Sequence, residues 1–295
     1  MRNINQRLSL SVANTFIVAC VVLTICSALF AQNQKTRDFR SIVEQRLRDN
    51  NKQSLAEVCP IDADAVAHRV FVEYGAIFVA NSGLMPPYRC IFTSDADVRT
   101  YQQWAGSVTA TIGGVPVTLQ KDAMTALLAA RQEATKMGVA ITPRGGAEAS
   151  TRSYSATARL WRSRFEPALK FWTAKGKIKP ADAAAARRMP IDEQIAAVLD
   201  WERLGLYFST DMSKSILYSV AAPGASQHIF MLALDVAQFA NPSVRAILAR
   251  HGWFQTVKSD LPHFTYLGVS EGALRSLGLR PEVVNGQKFW IPDME

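Results

Sequence analysis

Two short stretches near the C-terminal end of the chain hold the residues best suited to metal chemistry. The first contains His228 and, seven positions later, Asp235; the second contains Asp260 and His263. Catalytic zinc is commonly held by three His and carboxylate ligands, which leave a fourth position for water. One helical turn cannot join His228 to Asp235, but a turn followed by a short strand can bring both side chains to one ion.

His263 is expected to supply the third ligand from a neighbouring strand. Asp260 lies three positions before it and is close enough to act as a general base on water. Zinc lowers the pKa of bound water to about 7, so a nearby carboxylate can take the proton at neutral pH. The pattern predicts a hydrolytic zinc site. The competing interpretation is that these are ordinary surface or core residues, as we interpret the other two histidines, His68 and His251.

The two stretches together resemble a known family. Residues 226–235, SQHIFMLALD, are similar to the SxHxxGxAxD signature of zinc D-alanyl-D-alanine carboxypeptidases of the VanY type. Residues 260–263, DLPH, are similar to that family's ExWH signature. The resemblance implies that zinc is bound by His228, Asp235 and His263. It also implies that Asp260 stands at the position of the catalytic Glu and that Ser226 helps to orient the substrate.

Three positions depart from the family pattern. Met231 stands where the family has glycine, Pro262 where it has tryptophan, and Asp260 where it has glutamate. Asp is one methylene shorter than Glu, and a general base must come within about 2.6–3.2 Å of the proton that it takes. The preceding Pro223 and Gly224 match the usual lead-in of the first signature.

The family also uses an arginine, placed after a strand, to polarise the scissile carbonyl. By resemblance this residue is Arg144, directly after a predicted strand at residues 139–142, with Arg152 as the alternative. The likeness covers residues 121–268 and implies an insertion of helices at residues 151–205. Residues 32–120 gain nothing from it.

The pattern of helices and strands that must position these side chains predicts an α+β fold. In this fold, helices cover a small and largely antiparallel sheet. A Gly-Gly turn predicts a hairpin at residues 112–119. Period-3.6 apolar patterns predict helices at residues 65–74, 121–137, 154–174, 180–188 and 191–204. Short apolar runs predict extended segments at residues 75–79, 139–142, 215–220, 231–236 and 264–268.

The beginning of the chain predicts export. Arg2 and Arg7 precede a stretch without charged residues that reaches residue 34. This pattern is typical of a signal peptide, cut after Ala31, or of an uncleaved inner-membrane anchor at residues 8–31. A lipoprotein signal is the third option, although the residue before Cys26 is Ile25 and not the small residue that such a signal requires. All three place the rest of the chain in the periplasm or elsewhere outside the cytoplasm.

The sequence divides into four predicted parts. Residues 1–31 are the signal peptide or anchor, 32–58 a charged tether helix, 59–120 an accessory region and 121–295 the zinc peptidase-like domain. Within the tether, we interpret residues 35–58 as a solvated spacer. In an oxidising compartment, Cys59 and Cys90 are expected to form a disulfide, with two unlinked buried thiols as the alternative.

The net charge of +8 suits an anionic cell-wall polymer or membrane surface. No nucleic-acid motif is present, so we expect no such partner. The resemblance implies a zinc D,D-carboxypeptidase, or a related peptidase, that acts on peptidoglycan stem peptides. Two alternatives stay open: a non-catalytic cell-wall binding protein on the same fold, and a zinc amidohydrolase with another exported substrate.

Overall fold

Apolar residues spaced three or four apart fold into nine α-helices within residues 38–51, 53–258 and 260–294, which the structure, a computed structural model, describes. They are α1 (Phe39–Asn51), α2 (Leu55–Val58), α3 (Ala65–Tyr74), α4 (Asp95–Ala105), α5 (Lys121–Lys136), α6 (Tyr154–Ala174), α7 (Pro180–Ala186), α8 (Ile191–Arg203) and α9 (Pro242–Arg250). The predicted signal peptide or anchor at residues 1–31 lies outside the described residues. Among those described, no helix is both long and apolar enough to cross a membrane.

The strands of the described residues form three small antiparallel sheets. They are β1 (Val108–Ile112), β2 (Val115–Leu119), β3 (Ala233–Asp235), β4 (Trp253–Phe254), β5 (His263–Tyr266), β6 (Leu279–Val284) and β7 (Gln287–Pro292). β1 pairs with β2, β6 pairs with β7, and β5 lies between β3 and β4. The predicted α+β class with antiparallel strand pairing is therefore confirmed, although the described strands form three small sheets rather than one.

Several predicted elements have the expected bounds because their end signals are local. The hairpin turn between β1 and β2 uses Gly113 and Gly114 at φ 59° and 79°, a region that favours glycine. The side chain of Ser153 caps α6 by accepting a hydrogen bond from the backbone of Ala156. Within α6, Trp161 and Phe165 face the core and are at most 1% exposed.

Three predicted extended segments are wrong. Residues 75–79 form a 3₁₀ helix that continues from α3, and residues 216–218 form a 3₁₀ turn. Residues 139–142 form no strand; the chain makes one isolated bridge there, from Pro143 to Val236. Short apolar runs indicate burial, and burial is compatible with a turn as well as with a strand.

The interpretation of residues 35–58 as a solvated spacer is wrong for α1. Phe39, Val43 and Leu47 are spaced four apart, and each is at most 2% exposed. The ring of Phe39 lies 5.2 Å from that of Phe71, and its backbone N–H donates to the carbonyl of Asp293. The spacing of these three residues places them on one helical face, which packs into the core of the single compact unit formed by the described residues.

The predicted disulfide is confirmed. Cys59 and Cys90 are bonded, with their Cα atoms 5.2 Å apart. Two residues after this link, the backbone N–H of Phe92 donates to the carbonyl of Gly224, 3.0 Å away. The segment fixed by the disulfide thus contacts the loop that leads into residues 226–235.

Candidate metal centre

Three short elements bring the predicted metal ligands together. His228 lies in a 3₁₀ turn, Gln227–Phe230, and Asp235 ends β3. His263 begins β5, and the antiparallel register of β3 and β5 places it directly opposite Asp235. Strand pairing therefore joins two residues that lie far apart in the sequence.

The three side chains direct one atom each toward a common point. His228 Nε2 lies 3.1 Å from His263 Nδ1 and 3.3 Å from Asp235 Oδ1, and the last two atoms are 3.4 Å apart. Ligand bonds of about 2.0–2.2 Å in tetrahedral geometry separate ligand atoms by about 3.3–3.6 Å. The triangle is close to what a tetrahedral ion requires, and the group could hold a metal ion.

The protonation states of two of these ligands suit a cation. Burial lowers the pKa of His228 to about 4, assisted by the charge of Arg152 and opposed by Asp235. Burial raises the pKa of Asp235, but the charges and hydrogen bonds of His228 and His263 outweigh it and hold the pKa well below the usual range. At neutral pH the site therefore offers a neutral imidazole at His228 and an ionised carboxylate, which are the forms that bind metal.

Gln227 orients the ring of His263. Its Nε2 donates to the carbonyl of Tyr74, 2.9 Å away, so its Oε1 points toward His263. His263 Nε2 donates to that oxygen at 2.8 Å, which leaves the lone pair of Nδ1 for a metal ion. The hydroxyl of Thr265 donates to the same oxygen. By contrast, His228 Nδ1 is buried and has no hydrogen-bond partner in the described part of the chain.

Replacing Gln227 by methionine is expected to weaken metal binding by about 10–100-fold, which is typical for the loss of an outer-shell partner. Methionine is similar in volume but cannot hold the His263 ring in this tautomer. Competition with a fluorescent chelator measures the change. Gln103→Met is the matched control because Gln103 is exposed. An unchanged affinity in the Gln227 variant would show that the contact is not needed.

Asp260 lines the cavity beside these ligands. The cavity has a volume of about 180 Å³ and is also lined by Ser226, His228, Asp235 and His263. Burial raises the pKa of Asp260 to about 6, with a further increase from Asp235; the charges of His263, Arg152 and Arg144 oppose this rise. The carboxyl is thus a proton acceptor that titrates close to neutral pH.

The two candidate arginines lie in different surroundings. Arg152 lines the cavity and donates from Nη2 to Asp235 Oδ2 at 2.7 Å. Its Nε donates to the carbonyl of Glu148, while its Nη1 has no hydrogen-bond partner in the residues described. Arg144 is exposed and stacks on the ring of Phe239, 5.3 Å from its centroid. Only the backbone of Arg144 contacts a ligand, through a hydrogen bond to the carbonyl of Asp235.

Local backbone geometry explains two of the glycine positions implied by the resemblance. Met231, which stands at a glycine position, has a left-handed backbone with φ of 56°. Gly224 has φ of 83°, and a Cβ added there would lie 1.9 Å from the carbonyl oxygen of Phe92. The two positions lie on either side of the 3₁₀ turn that presents His228, so the chain enters and leaves this turn in a conformation that L-residues adopt at a cost.

Replacing Gly224 by alanine is expected to lower the melting temperature by about 10 °C or more, since a backbone clash adds to the conformational strain. Gly114→Ala is the matched control: φ is 79° there, and no atom lies within 4 Å of the added Cβ. That variant isolates the strain, about 1–2 kcal/mol, and should lose only a few degrees. Thermal unfolding of both variants checks the comparison. Equal losses would refute the clash.

A second and larger cavity lies outside this site. Its volume is about 760 Å³, and its lining includes His68 and Glu202 but none of the predicted metal ligands. The remaining histidine, His251, pairs with Glu133 at 2.8 Å. Neither His68 nor His251 joins the metal group.

Two polar residues of the centre went unnoticed in the sequence. Gln227 lies between Ser226 and His228, at a position where the first signature allows any residue. Its place beside a predicted metal ligand was the one feature that could have identified it. Arg164 lines the cavity from α6, in the predicted insertion, and no motif marks it.

No family model, curated protein or solved structure matches this chain.

Proposed function

We propose that the protein is a zinc-dependent D,D-carboxypeptidase, or a closely related peptidase, that acts on peptidoglycan stem peptides. The observation that carries this proposal is the triangle of lone-pair atoms from His228, Asp235 and His263, with Asp260 lining the same cavity. Two imidazoles and a carboxylate suit zinc, which accepts nitrogen and oxygen ligands in tetrahedral geometry. The likeness of both signatures to the VanY-type family supports the choice of reaction.

Zinc, when bound, polarises the scissile carbonyl and acidifies water. Asp260 takes the proton of the attacking water and later returns it to the leaving amine, a role that its pKa of about 6 suits. Arg152 stabilises the negative charge that develops on the carbonyl oxygen, using the Nη1 that its bond to Asp235 leaves free. Ser226 orients the peptide.

Arg152 rather than Arg144 is proposed for this charge-stabilising role. Its guanidinium lines the cavity, and its ion pair with Asp235 fixes its position beside the ligand group. Arg144 acts at longer range: its charge lowers the pKa of Asp260, while its side chain packs on Phe239. The difference matters because a donor must reach within about 2.7–3.1 Å of the developing oxyanion.

The proposed location and substrate rest on further sequence features. A basic chain that begins with an export pattern and contains a disulfide suits the anionic wall outside the cytoplasm. Stem peptides are short, and those that end in D-Ala-D-Ala have an accessible terminal peptide bond. We therefore infer an extracytoplasmic protein, either secreted or held at the inner membrane by residues 8–31.

Purified wall peptides, incubated with the full chain, test the proposal. Mass spectrometry should find stem peptides shortened by one alanine, and a zinc chelator should prevent the loss. Asp260→Asn is the control for contaminating peptidases. Bound zinc without any shortened product would instead favour the second candidate, a non-catalytic wall-binding protein, which is motivated by the short Asp260 at the position of the family's Glu.

A further inference from the structure

An arginine of the predicted insertion lines the same cavity as the metal ligands. Arg164 belongs to α6, and with Ser219 it forms part of the cavity wall that His228 and Asp235 also line. Neither of the two sequence signatures contains it. Its place in the cavity is determined by the packing of α6, whose Trp161 and Phe165 are fully or almost fully buried.

The guanidinium of Arg164 has neutral partners. Its Nε donates to Ser219 Oγ at 2.9 Å, and its Nη1 donates to Ser163 Oγ at 2.8 Å. Within the described part of the chain, Nη2 has no hydrogen-bond partner and the group has no carboxylate counter-ion. Arg164 is only partly exposed. Charged groups withdrawn from water are usually paired, so this cation is suited to an anion brought by a ligand.

The hydroxyl of Ser219 extends the same donor surface. Because Ser219 Oγ accepts from Arg164 Nε, its own proton is available to another acceptor. Thr210 Oγ1 lies 3.4 Å away, a distance that permits only a weak hydrogen bond. Together, Arg164 and Ser219 offer a charged donor and a neutral donor to the cavity, the pair that a carboxylate accepts well.

The other arginine of the cavity is already paired with a carboxylate. Arg152 is neutralised by Asp235, and Asp235 also faces the two imidazoles. The cavity, about 180 Å³, holds on the order of six water molecules at about 30 Å³ each. That is about as many non-hydrogen atoms as a terminal alanine with its carboxylate possesses.

We propose that Arg164 and Ser219 form the subsite for the free C-terminal carboxylate of the substrate, so that the residue released is the last one of the peptide. This inference rests on the proposed peptidase function and deepens it. It makes the protein a carboxypeptidase rather than an endopeptidase, because an internal peptide bond presents no carboxylate to Arg164.

Binding to the metal-free protein tests the subsite without turnover. The probes are an acetylated tripeptide that ends in two D-alanines and its C-terminal amide, compared by calorimetry on the full chain treated with chelator. We expect the wild type to prefer the free acid by at least about tenfold, as for loss of a hydrogen bond to a charged group. Equal affinities, or binding of neither peptide, would overturn the assignment.

Variants assign the preference to the residues. Arg164→Gln should remove the preference for the acid while leaving the affinity for the amide unchanged, and Ser219→Ala should reduce the preference in part. Arg162→Gln is the matched control, since Arg162 is exposed on the same helix. Arg164→Lys retains the charge and should keep part of the preference. A preference that survives in Arg164→Gln would refute the role of Arg164.

Hydrolysis of the same peptides separates this inference from the proposed function. If the zinc-loaded wild type cuts the acid and spares the amide, both are supported. If it cuts both at equal rates, the peptidase proposal stands and the subsite is refuted. If it binds the acid selectively but cuts neither peptide, the subsite is supported and the peptidase proposal fails.

Discussion

Replacing Asp235 by alanine is expected to abolish stoichiometric zinc binding and peptide hydrolysis together. The change removes the anionic ligand and leaves two imidazoles beside Arg152, whose charge is then uncompensated. We expect the zinc affinity to fall by more than about 100-fold, beyond the loss caused by removal of an outer-shell partner. Hydrolysis at a fixed zinc concentration should fall below detection.

The matched control for this variant is His251→Ala. His251 pairs with Glu133 outside the metal group, so its loss should leave zinc affinity unchanged. Equilibrium dialysis with metal analysis measures affinity, and circular dichroism verifies that both variants fold. A folded Asp235→Ala protein that still binds one zinc tightly would remove Asp235 from the ligand set.

Asp260→Asn should reduce hydrolysis by about 10²–10⁴-fold while zinc content stays unchanged. This is the typical contribution of a positioned general base, and asparagine is nearly isosteric but cannot accept the proton. Asp122→Asn is the control because Asp122 is exposed on α5. If Asp260→Asn keeps full activity, another group is the base. If zinc is also lost, the fall in hydrolysis does not report on proton transfer, and the pH dependence then decides the role of Asp260.

The pH dependence of hydrolysis tests the same role of Asp260. Asp260 acts as a base only when ionised, and its pKa is about 6, so kcat/KM should fall as the pH decreases through that region. A bound cation favours the ionised form and moves the midpoint lower. The acidic limb should be present in the wild type and absent from the residual activity of Asp260→Asn. An identical limb in both would assign it to another group.

The helices and the hairpin could be predicted because their signals are local. The bounds of α6 follow from a Ser cap and an apolar stripe, and the β1–β2 turn follows from two adjacent glycines. The segments at residues 139–142 and 215–220 are apolar like the segments that do form strands, but tertiary hydrogen bonds decide their conformation. For example, the N–H of Ile216 donates to the carboxylate of Glu202, a contact that no local pattern reveals.

Some residues of the candidate site could likewise be predicted from the sequence, and others could not. His228, Asp235 and His263 could be identified because signatures preserve their spacing, and the register of β3 with β5 then brings them together. The choice between Arg144 and Arg152 could not be made from the sequence. Both follow the predicted strand, but packing turns only Arg152 toward the cavity, while Arg144 stacks on Phe239.

The ligand assignment is tested most directly by a crystal structure of the zinc-loaded protein, with anomalous scattering recorded on both sides of the zinc absorption edge. We expect one strong peak within about 2.0–2.2 Å of His228 Nε2, Asp235 Oδ1 and His263 Nδ1. A peak elsewhere, or no peak while these three atoms keep their mutual distances of 3.1–3.4 Å, would contradict the zinc centre and the hydrolase built on it.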